Sequence, residues 1–173
     1  MRPEAGPRPK RSVVRRVVRT AAWMLRSKQT IGALAAVYDE AGRILLVRQK
    51  LYERHRWTLP GGFIKGDERP VEAVVREIRE EVALSLDMAD FEEVAHYKQP
   101  WAQHLDVLFK IQLEESEPEL NRLSRTEIAE AQWIDIDDEA PELTAEAVVA
   151  LEILRGNTPD YLRLFWWSYD RSD

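Results

Sequence analysis

Apolar residues in the first half of the chain form two short runs separated by a polar turn. Residues 31–38 (IGALAAVY) and 43–48 (RILLVR) have the length and composition of buried strands. Gly42 lies between the two runs and can adopt the positive φ that a hairpin loop requires. The pattern therefore predicts a β-hairpin, followed by a polar loop at residues 50–56.

A helix is predicted after the turn residues at 58–62, Thr-Leu-Pro-Gly-Gly. Pro70 suits the first helical position, and Asp67 or Glu68 lies where an N-terminal capping residue is expected. Apolar residues then recur at helical spacing, which predicts one buried stripe. The stripe consists of Val71, Val74, Val75, Ile78 and Val82.

The second half of the chain continues this mixture of strands and helices. Residues 91–97 and 131–136 are predicted strands, and residues 105–113 alternate in polarity as a strand in a sheet does. A second helix is predicted over residues 144–155, which begin with a capping threonine and are followed by glycine. Mixed strands and helices of these lengths indicate a layered α/β or α+β domain.

The N-terminal residues differ in charge from the rest of the chain, whose formal net charge over 173 residues is −6. Residues 1–30 contain nine basic residues and one acidic residue, whereas the remaining residues carry a net charge of −14. Apolar residues at helical spacing predict an amphipathic helix over residues 12–27, with arginines on the opposite face. We therefore divide the chain into a basic arm, residues 1–29, and one domain over residues 30–173.

Three roles for this basic arm are open. Docking on the domain, or on a second copy in a homodimer, is favoured because the body to which the arm is tethered is acidic. Binding to an anionic membrane surface and binding to nucleic acid are the alternatives.

Composition excludes several classes of function. The chain has no cysteine, so it cannot form a disulfide, a thiolate zinc site or a thiol nucleophile. No apolar run approaches the roughly 20 residues of a membrane-spanning helix, and the arm lacks the apolar core of a signal peptide. The acidic body is suited to divalent cations rather than to nucleic acid. We expect a cytoplasmic protein with no transmembrane segment and no nucleic-acid partner.

Three carboxylates are concentrated on the first predicted helix of the domain. Glu77, Glu80 and Glu81 fall within about 100° of its surface, where each like-charged pair costs roughly 0.2–0.5 kcal/mol. A bound Mg²⁺ or Mn²⁺ would reverse that repulsion, because both ions prefer oxygen ligands. The alternative is a solvated face on which Arg76 and Arg79 neutralise the glutamates.

The segment around these glutamates resembles the signature of the Nudix hydrolase family. The matching residues, at the family's spacing, are Gly62, Glu68, Arg76, Glu77, Ile78, Glu80, Glu81 and Leu84. Ala83 departs from the pattern, since the family has glycine there. The glycine serves the exit from the helix, so the exit geometry is expected to differ while the chemistry is retained. The likeness extends over about residues 30–155.

The resemblance implies an α/β/α sandwich with a mixed sheet, and hydrolysis of a nucleoside diphosphate derivative by metal-assisted attack of water. The metal ligands that it implies are Glu77, Glu80, Glu81 and the carbonyl of Gly61. Arg76 would hold Glu77 in place, and Glu68 would support the loop and the helix start. Either Glu77 or a downstream carboxylate such as Glu127 would be the base. Gly62 and Glu68 are structural members of the motif.

Hints about the substrate lie outside this signature. The segment Gln99-Pro100-Trp101 resembles the start of a motif in NADH-hydrolysing Nudix enzymes, although the remainder of that motif is absent. A proline at about this distance past the signature also resembles ADP-ribose-hydrolysing members, so the two resemblances favour ADP-ribose or a dinucleotide. Trp101 could stack on a base and Arg56 could contact phosphate. His104 could reach substrate from a strand end, although packing is the more common role of such a residue.

Two alternatives of other classes stay open. One is a Nudix-fold module that binds nucleotide without catalysis, although such a module is expected to lose some of the glutamates that are retained here. The other is an adaptor at a membrane or on nucleic acid, which would depend on the arm. An isopentenyl-diphosphate isomerase shares the fold but needs a catalytic cysteine, which this chain lacks.

Overall fold

The computed structural model describes residues 29–51, 56–99, 102–120, 127–137 and 141–157. The predicted amphipathic helix at 12–27 lies outside the described residues, as does the stretch 161–169, which is rich in aromatic residues. The described residues form these elements in chain order: β1 (Thr30–Tyr38), β2 (Ile44–Gln49), β3 (Trp57–Thr58), β4 (Gly61–Phe63), α1 (Pro70–Val82), a short 3-10 helix (Met88–Asp90), β5 (Glu92–Lys98), β6 (His104–Gln112), β7 (Ile128–Ile134) and α2 (Ala145–Leu154).

The strands form one mixed sheet with β1 at its centre. β1 pairs in parallel with β6, from Thr30 opposite His104 to Tyr38 opposite Gln112. On its other side it pairs antiparallel with β2 at Tyr38 and with β4 at the opposite end. β3 and β7 flank β2, and β5 flanks β6, all in antiparallel orientation. The short strand β4 therefore lies beside the first residues of the central strand.

A hydrophobic core lies on each face of the sheet, because successive side chains of a strand point to opposite faces. α1 packs against one face, which includes Val37, Leu45 and Phe109. α2 packs against the other face, which includes Leu46 and Leu108. The predicted α/β/α sandwich with a mixed sheet is therefore confirmed for the domain.

Two parts of the predicted secondary structure are wrong. Residues 58–62 were expected to be loop, but they contribute to β3 and β4. These strands have two and three residues, too few to show a polarity pattern, and they exist because β2 and β1 supply their hydrogen-bond partners. The last strand spans Ile128–Ile134 rather than 131–136, because its pairing with β2 begins at Gln49 opposite Ile128.

The ends of α1 also differ from expectation. Arg69, rather than Asp67 or Glu68, is the N-cap, and its backbone N–H donates to the Glu72 side chain at 2.7 Å. At the other end Ala83 adopts φ 61° and ψ 20°, the left-handed conformation that glycine favours. The helix therefore ends as a glycine-terminated helix does, although the residue is alanine.

No helix among the residues that the structure describes is long and apolar enough to cross a membrane.

Candidate active site

Two glycines of β4 bring the backbone close to the glutamates of α1. Gly61 has φ 150°, and a Cβ there would lie 2.2 Å from the Ala33 carbonyl oxygen of β1. A Cβ on Gly62 would lie 2.7 Å from Oε1 of Glu77. Neither position has room for a side chain. The Gly-Gly pair therefore fits closely between β1 on one side and α1 on the other.

Arg76 connects the loop before α1 to the carboxylates on the helix. Its Nε and Nη2 donate to the two oxygens of Glu68 at 3.0 and 2.7 Å, and Nη1 lies 2.5 Å from Oε1 of Glu77. Nη2 also donates to the Phe63 carbonyl at 3.1 Å, and Nη1 lies 3.4 Å from Oε2 of Glu80. The hydrogen bond with Glu68, followed by that with Glu77, raises the pKa of Arg76.

Glu68 is fixed in its ionised form. Besides Arg76, it accepts a hydrogen bond from the backbone N–H of Lys65 at 2.6 Å. These two contacts, with that from Arg76 the stronger, lower the pKa of Glu68 to about 2. The charged Glu68 holds Arg76 in place, and Arg76 in turn holds Glu77.

Glu81 is a carboxyl group in a site that disfavours its charge. It is 4 % exposed and accepts one hydrogen bond, from the N–H of Gly61 at 3.2 Å. Burial raises its pKa to about 8, and the nearby negative charges of Glu77, Glu127 and Glu80 act in the same direction. Carboxyl groups that are buried together in this way carry unfavourable charge that a cation would relieve.

Lys65 is a member of the cluster that was not predicted from the sequence. Its Nζ lies 3.6 Å from Oε1 of Glu77 and 3.9 Å from Oε2 of Glu80. The residue stands between Gly62 and Glu68, inside the signature, so its position was the available signal. Lys65 and Arg76 together supply the positive charge that faces these glutamates in the structure.

The oxygen atoms of the glutamates and of the Gly61 carbonyl are chemically suited to bind a divalent cation. The site offers only oxygen atoms, and two of the carboxyl groups, Glu77 and Glu81, are nearly buried. Burial, together with the negative charges of its neighbours, raises the pKa of Glu81. Within the described part of the chain, no three Asp, Glu or His side chains stand close enough together to hold a metal as they are oriented. Glu77 and Glu80 instead face Arg76 and Lys65, and Glu80 is half exposed.

Not all of the residues predicted to act in catalysis or to bind substrate lie beside the carboxylate cluster. Glu127, just before β7, is brought near the cluster, since its charge acts on Glu81. Arg56 instead pairs through Nε with Oε1 of Glu142 at 2.9 Å, before the start of α2. Trp101 lies outside the described residues.

A second polar network, which sequence analysis did not find, lies at the start of β6. Buried Gln99 donates through Nε2 to Oδ2 of Asp106 at 2.5 Å, and Oδ1 of Asp106 lies 2.9 Å from Nε2 of His104. Nδ1 of His104 lies 2.6 Å from Oγ1 of Thr30. The hydrogen bond with Asp106 raises the pKa of His104, against the effect of burial. Gln99 therefore supports this network from the interior.

Comparison with known proteins identifies relatives for most of the chain. The family model described as NUDIX domain matches residues 28–154. The NAD-capped RNA hydrolase NudC of Mycobacterium tuberculosis is 32 % identical over 112 residues, which cover 65 % of this chain and 34 % of the relative. The chain thus spans about a third of the length of this curated relative.

Solved structures share the fold. A MutT NUDIX hydrolase from Burkholderia pseudomallei has a TM-score of 0.61 at 27 % identity, covering 74 % of this chain and 99 % of that one. Another match is a bifunctional NMN adenylyltransferase/ADP ribose pyrophosphatase from Francisella tularensis, complexed with AMP and a Mn ion. Its TM-score is 0.61 at 18 % identity, and the match covers 85 % of this chain and 47 % of that one. The predicted resemblance is therefore confirmed by a family model, a sequence relative and solved structures.

Proposed function

Because this chain belongs to the NUDIX domain family, we propose that it is a Mg²⁺-dependent hydrolase that cleaves the diphosphate linkage of a nucleoside diphosphate derivative. The observation that carries the proposal is the cluster of Glu77, Glu80 and Glu81 beside Gly61, in which the carboxyl group of Glu81 is buried where its negative charge is disfavoured. Relatives and solved structures named as hydrolases support the enzyme class.

Glu77, Glu80, Glu81 and the carbonyl of Gly61 would hold the cation, with Mn²⁺ as an alternative to Mg²⁺. When bound, the ion lowers the pKa of water and neutralises charge on phosphoryl oxygens. The Mn ion named for the Francisella tularensis structure supports a divalent cation in this fold.

The protein's own groups position the reaction. Arg76 orients Glu77 through a contact of 2.5 Å, and Glu68 holds Arg76 from the other side. Either Glu77 or Glu127 accepts the proton of the attacking water. Lys65 adds positive charge on the side where a diphosphate would accumulate negative charge.

The proposed substrates are ADP-ribose and dinucleotides. The resemblance of Gln99-Pro100-Trp101 to a motif of NADH-hydrolysing enzymes supports this class, as do the names of the Mycobacterium tuberculosis and Francisella tularensis proteins. Arg56 would contact phosphate and Trp101 would stack on a base.

The decisive experiment is a hydrolysis screen with the double variant Glu80→Gln/Glu81→Gln. The wild-type chain is assayed with Mg²⁺ on ADP-ribose, NADH, diadenosine diphosphate, a nucleoside triphosphate and an NAD-capped RNA. We expect the best substrate to be cleaved by the wild type, and the double variant to lose at least about a hundred-fold in kcat/KM. Chelation of the metal with EDTA should abolish the wild-type activity.

The matched control is Glu92→Gln/Glu93→Gln on β5, which removes the same charge from an exposed strand end. It should retain wild-type kcat/KM. A folded Glu80→Gln/Glu81→Gln variant with the wild-type rate would refute the metal assignment. Tight nucleotide binding by a wild type that hydrolyses nothing would instead favour the non-catalytic module.

The arm and the assembly state enter the same proposal. Residues 1–29 form an extension of the domain at 30–173 that docks on it or on a second copy to form a homodimer, in a cytoplasmic protein. Comparison of the sedimentation mass and melting temperature of the full chain with those of residues 30–173 tests this. An equal number of copies in both assemblies, together with equal melting temperatures, would contradict docking.

A further inference from the structure

Two cations that face the glutamates of α1 are held with very different firmness. The guanidinium of Arg76 is bound by both Glu68 and Glu77, and its side chain is 16 % exposed. The side chain of Lys65 is 62 % exposed, and its Nζ lies 3.6 Å from Glu77 and 3.9 Å from Glu80. Exposed ion pairs of this length contribute little to stability, so Lys65 can leave the glutamates at little cost, whereas Arg76 cannot.

The backbone of Lys65 is anchored although its side chain is not. Its N–H donates to Oε1 of Glu68 at 2.6 Å, and its carbonyl accepts the N–H of Glu68 at 3.2 Å. The preceding residue, Ile64, donates its N–H to the Ile31 carbonyl of β1 at 3.0 Å. A lysine ammonium stands on a flexible stem of four carbon atoms, so it can change partners here by rotation of the side chain alone.

Lys65 and a divalent cation would compete for the same carboxylates. Glu77 and Glu80 are two of the groups proposed to hold the cation, and the ammonium pairs with both of them. An ammonium held at these distances repels a second cation on the same carboxylates, because the two positive charges then lie close together. Lys65 is therefore expected to weaken the binding of the cation when no substrate is present.

A bound diphosphate would reverse this effect. Mg²⁺ commonly bridges protein carboxylates to substrate phosphates, so the diphosphate adds negative charge beside the carboxylate cluster. Its oxygen atoms offer the ammonium of Lys65 a new acceptor in a charge-assisted hydrogen bond. Lys65 would then attract the substrate instead of opposing the cation.

We propose that Lys65 couples the binding of the cation to the binding of the substrate. Its ammonium pairs with Glu77 and Glu80 in the free enzyme and transfers to the diphosphate when the cation and the substrate are bound. The inference rests on the proposed hydrolase function and adds a regulation of the same site, in which each of the two ligands strengthens the binding of the other.

The test measures Mn²⁺ binding directly, by electron paramagnetic resonance of the free ion, in the wild type and in Lys65→Met. Methionine keeps an unbranched side chain but removes the charge. We expect Lys65→Met to bind Mn²⁺ alone about three-fold to ten-fold more tightly than the wild type. Melting curves check that each variant is folded.

The coupling is measured with α,β-methylene ADP, a nucleoside diphosphate whose methylene bridge is not hydrolysed. Calorimetry gives its Kd with and without Mn²⁺, and a protein-free blank gives the binding of Mn²⁺ to the nucleotide itself. The ratio of the two Kd values measures how strongly the cation favours the nucleotide. In Lys65→Met this ratio should fall at least about three-fold, because the ammonium no longer reaches the diphosphate.

Lys65→Arg and Lys110→Met are the controls. Arginine keeps the positive charge, so Lys65→Arg should retain both the weak binding of Mn²⁺ alone and the coupling. Lys110 pairs with Glu92 at 3.1 Å between β6 and β5, so Lys110→Met removes the same charge from a different ion pair. It should change neither quantity.

The outcomes separate this inference from the proposed function. A wild type that binds Mn²⁺ no more tightly than Glu80→Gln/Glu81→Gln refutes the metal site, and the inference with it. If Mn²⁺ binding depends on these glutamates but is the same in Lys65→Met, or is weaker there, only the role of Lys65 is refuted. Tighter binding of Mn²⁺ with an unchanged ratio of Kd values would refute the transfer of the ammonium to the diphosphate.

Discussion

Arg76 makes contacts that depend on the shape of its guanidinium. Three nitrogens reach Glu68, Glu77 and the carbonyl of Phe63 at the same time. A lysine ammonium is a single charged point and cannot span these partners. The side chain therefore sets the position of Glu77 relative to β4, in addition to contributing charge.

Arg76→Lys is expected to lower kcat/KM about ten-fold to a hundred-fold, the usual effect of removing a residue that orients a metal ligand. A metal titration of activity should show a higher Mg²⁺ requirement, because Glu77 loses its orientation. Arg69→Lys is the control, since Arg69 pairs with Glu72 on the exposed start of α1. Equal losses in the two variants would contradict the orienting role.

Gly62→Ala is expected to reduce activity far more than stability. The added methyl carbon would lie 2.7 Å from Oε1 of Glu77, so the carboxylate must move. A misplacement of this kind lowers the rate by about a hundred-fold. Steady-state kinetics and a melting curve measure the two effects.

Gly42→Ala gives the opposite pattern and serves as the control. Gly42 has φ 82° with open space around it, so alanine there strains the hairpin loop without touching the site. We expect a lower melting temperature and wild-type kcat/KM. Parallel losses of activity in both variants would mean that the Gly62 effect is one of folding.

The candidate site could be predicted from the sequence where spacing along one helix decides it. Glu77, Glu80 and Glu81 share a helix face, so their proximity follows from helical geometry. Lys65 and the network around His104 could not be found in this way. Lys65 contacts Glu77 from the loop before α1, outside the helical period. The contacts of His104 cross between strands that pair over a long distance in sequence, and no local pattern records them.

Among the elements, α1 contains the clearest local conflict. Ala83 ends the helix at φ 61°, and its N–H donates to the Arg79 carbonyl at 3.2 Å. For an L-residue with a side chain this conformation costs about 1–2 kcal/mol, which glycine avoids. The end of the helix is therefore set by its packing, against the preference of the residue.

Ala83→Gly is expected to raise the free energy of unfolding by about 1 kcal/mol and the melting temperature by about 2–4 °C. Part of the gain is offset by the greater freedom of glycine in the unfolded chain. Ala89→Gly, at an exposed position in the 3-10 helix without positive φ, should lower the melting temperature instead. A fall in both variants would contradict strain at Ala83.

The elements show what the pattern of polarity can and cannot predict. α1 and the alternating strand β6 were predicted because their own residues carry the period of the structure. α2 was predicted from the capping threonine before it and the glycine after it. β3 and β4 were missed because two or three residues are too few to show the alternation of polar and apolar side chains that marks a strand. Their existence depends on β1 and β2, which offer unpaired backbone groups beside them.

At the scale of the whole molecule, the protein should lose stability at acid pH because Glu68 becomes protonated. Its pKa is about 2 in the folded chain and 4.5 otherwise, so its contribution is present above pH 4.5 and is lost as pH falls through about 2. We expect the melting temperature to fall over this window. The melting temperature of Glu68→Gln should differ most from that of the wild type near neutral pH, and the difference should vanish near pH 2.

Glu92→Gln is the control for this titration, because Glu92 pairs with Lys110 at an exposed position on β5. Its melting temperature should follow the wild type from pH 7 to pH 2. If the melting temperatures of the wild type and of Glu68→Gln differed by the same amount at every pH in that range, the assignment to Glu68 would be contradicted.

The parallel pairing of β1 with β6 also sets an order of events during synthesis. Thr30 and His104 are partners separated by 74 residues, so the centre of the sheet cannot close until β6 has been made. At about 5–20 residues per second, the ribosome needs about 4–15 seconds to supply it. During that interval the apolar β1 has an open backbone edge in the nascent chain, which is a template for pairing with other chains. The same strand pairing that places His104 beside Phe63 thus leaves the newly synthesised chain with an exposed strand edge until β6 has been made.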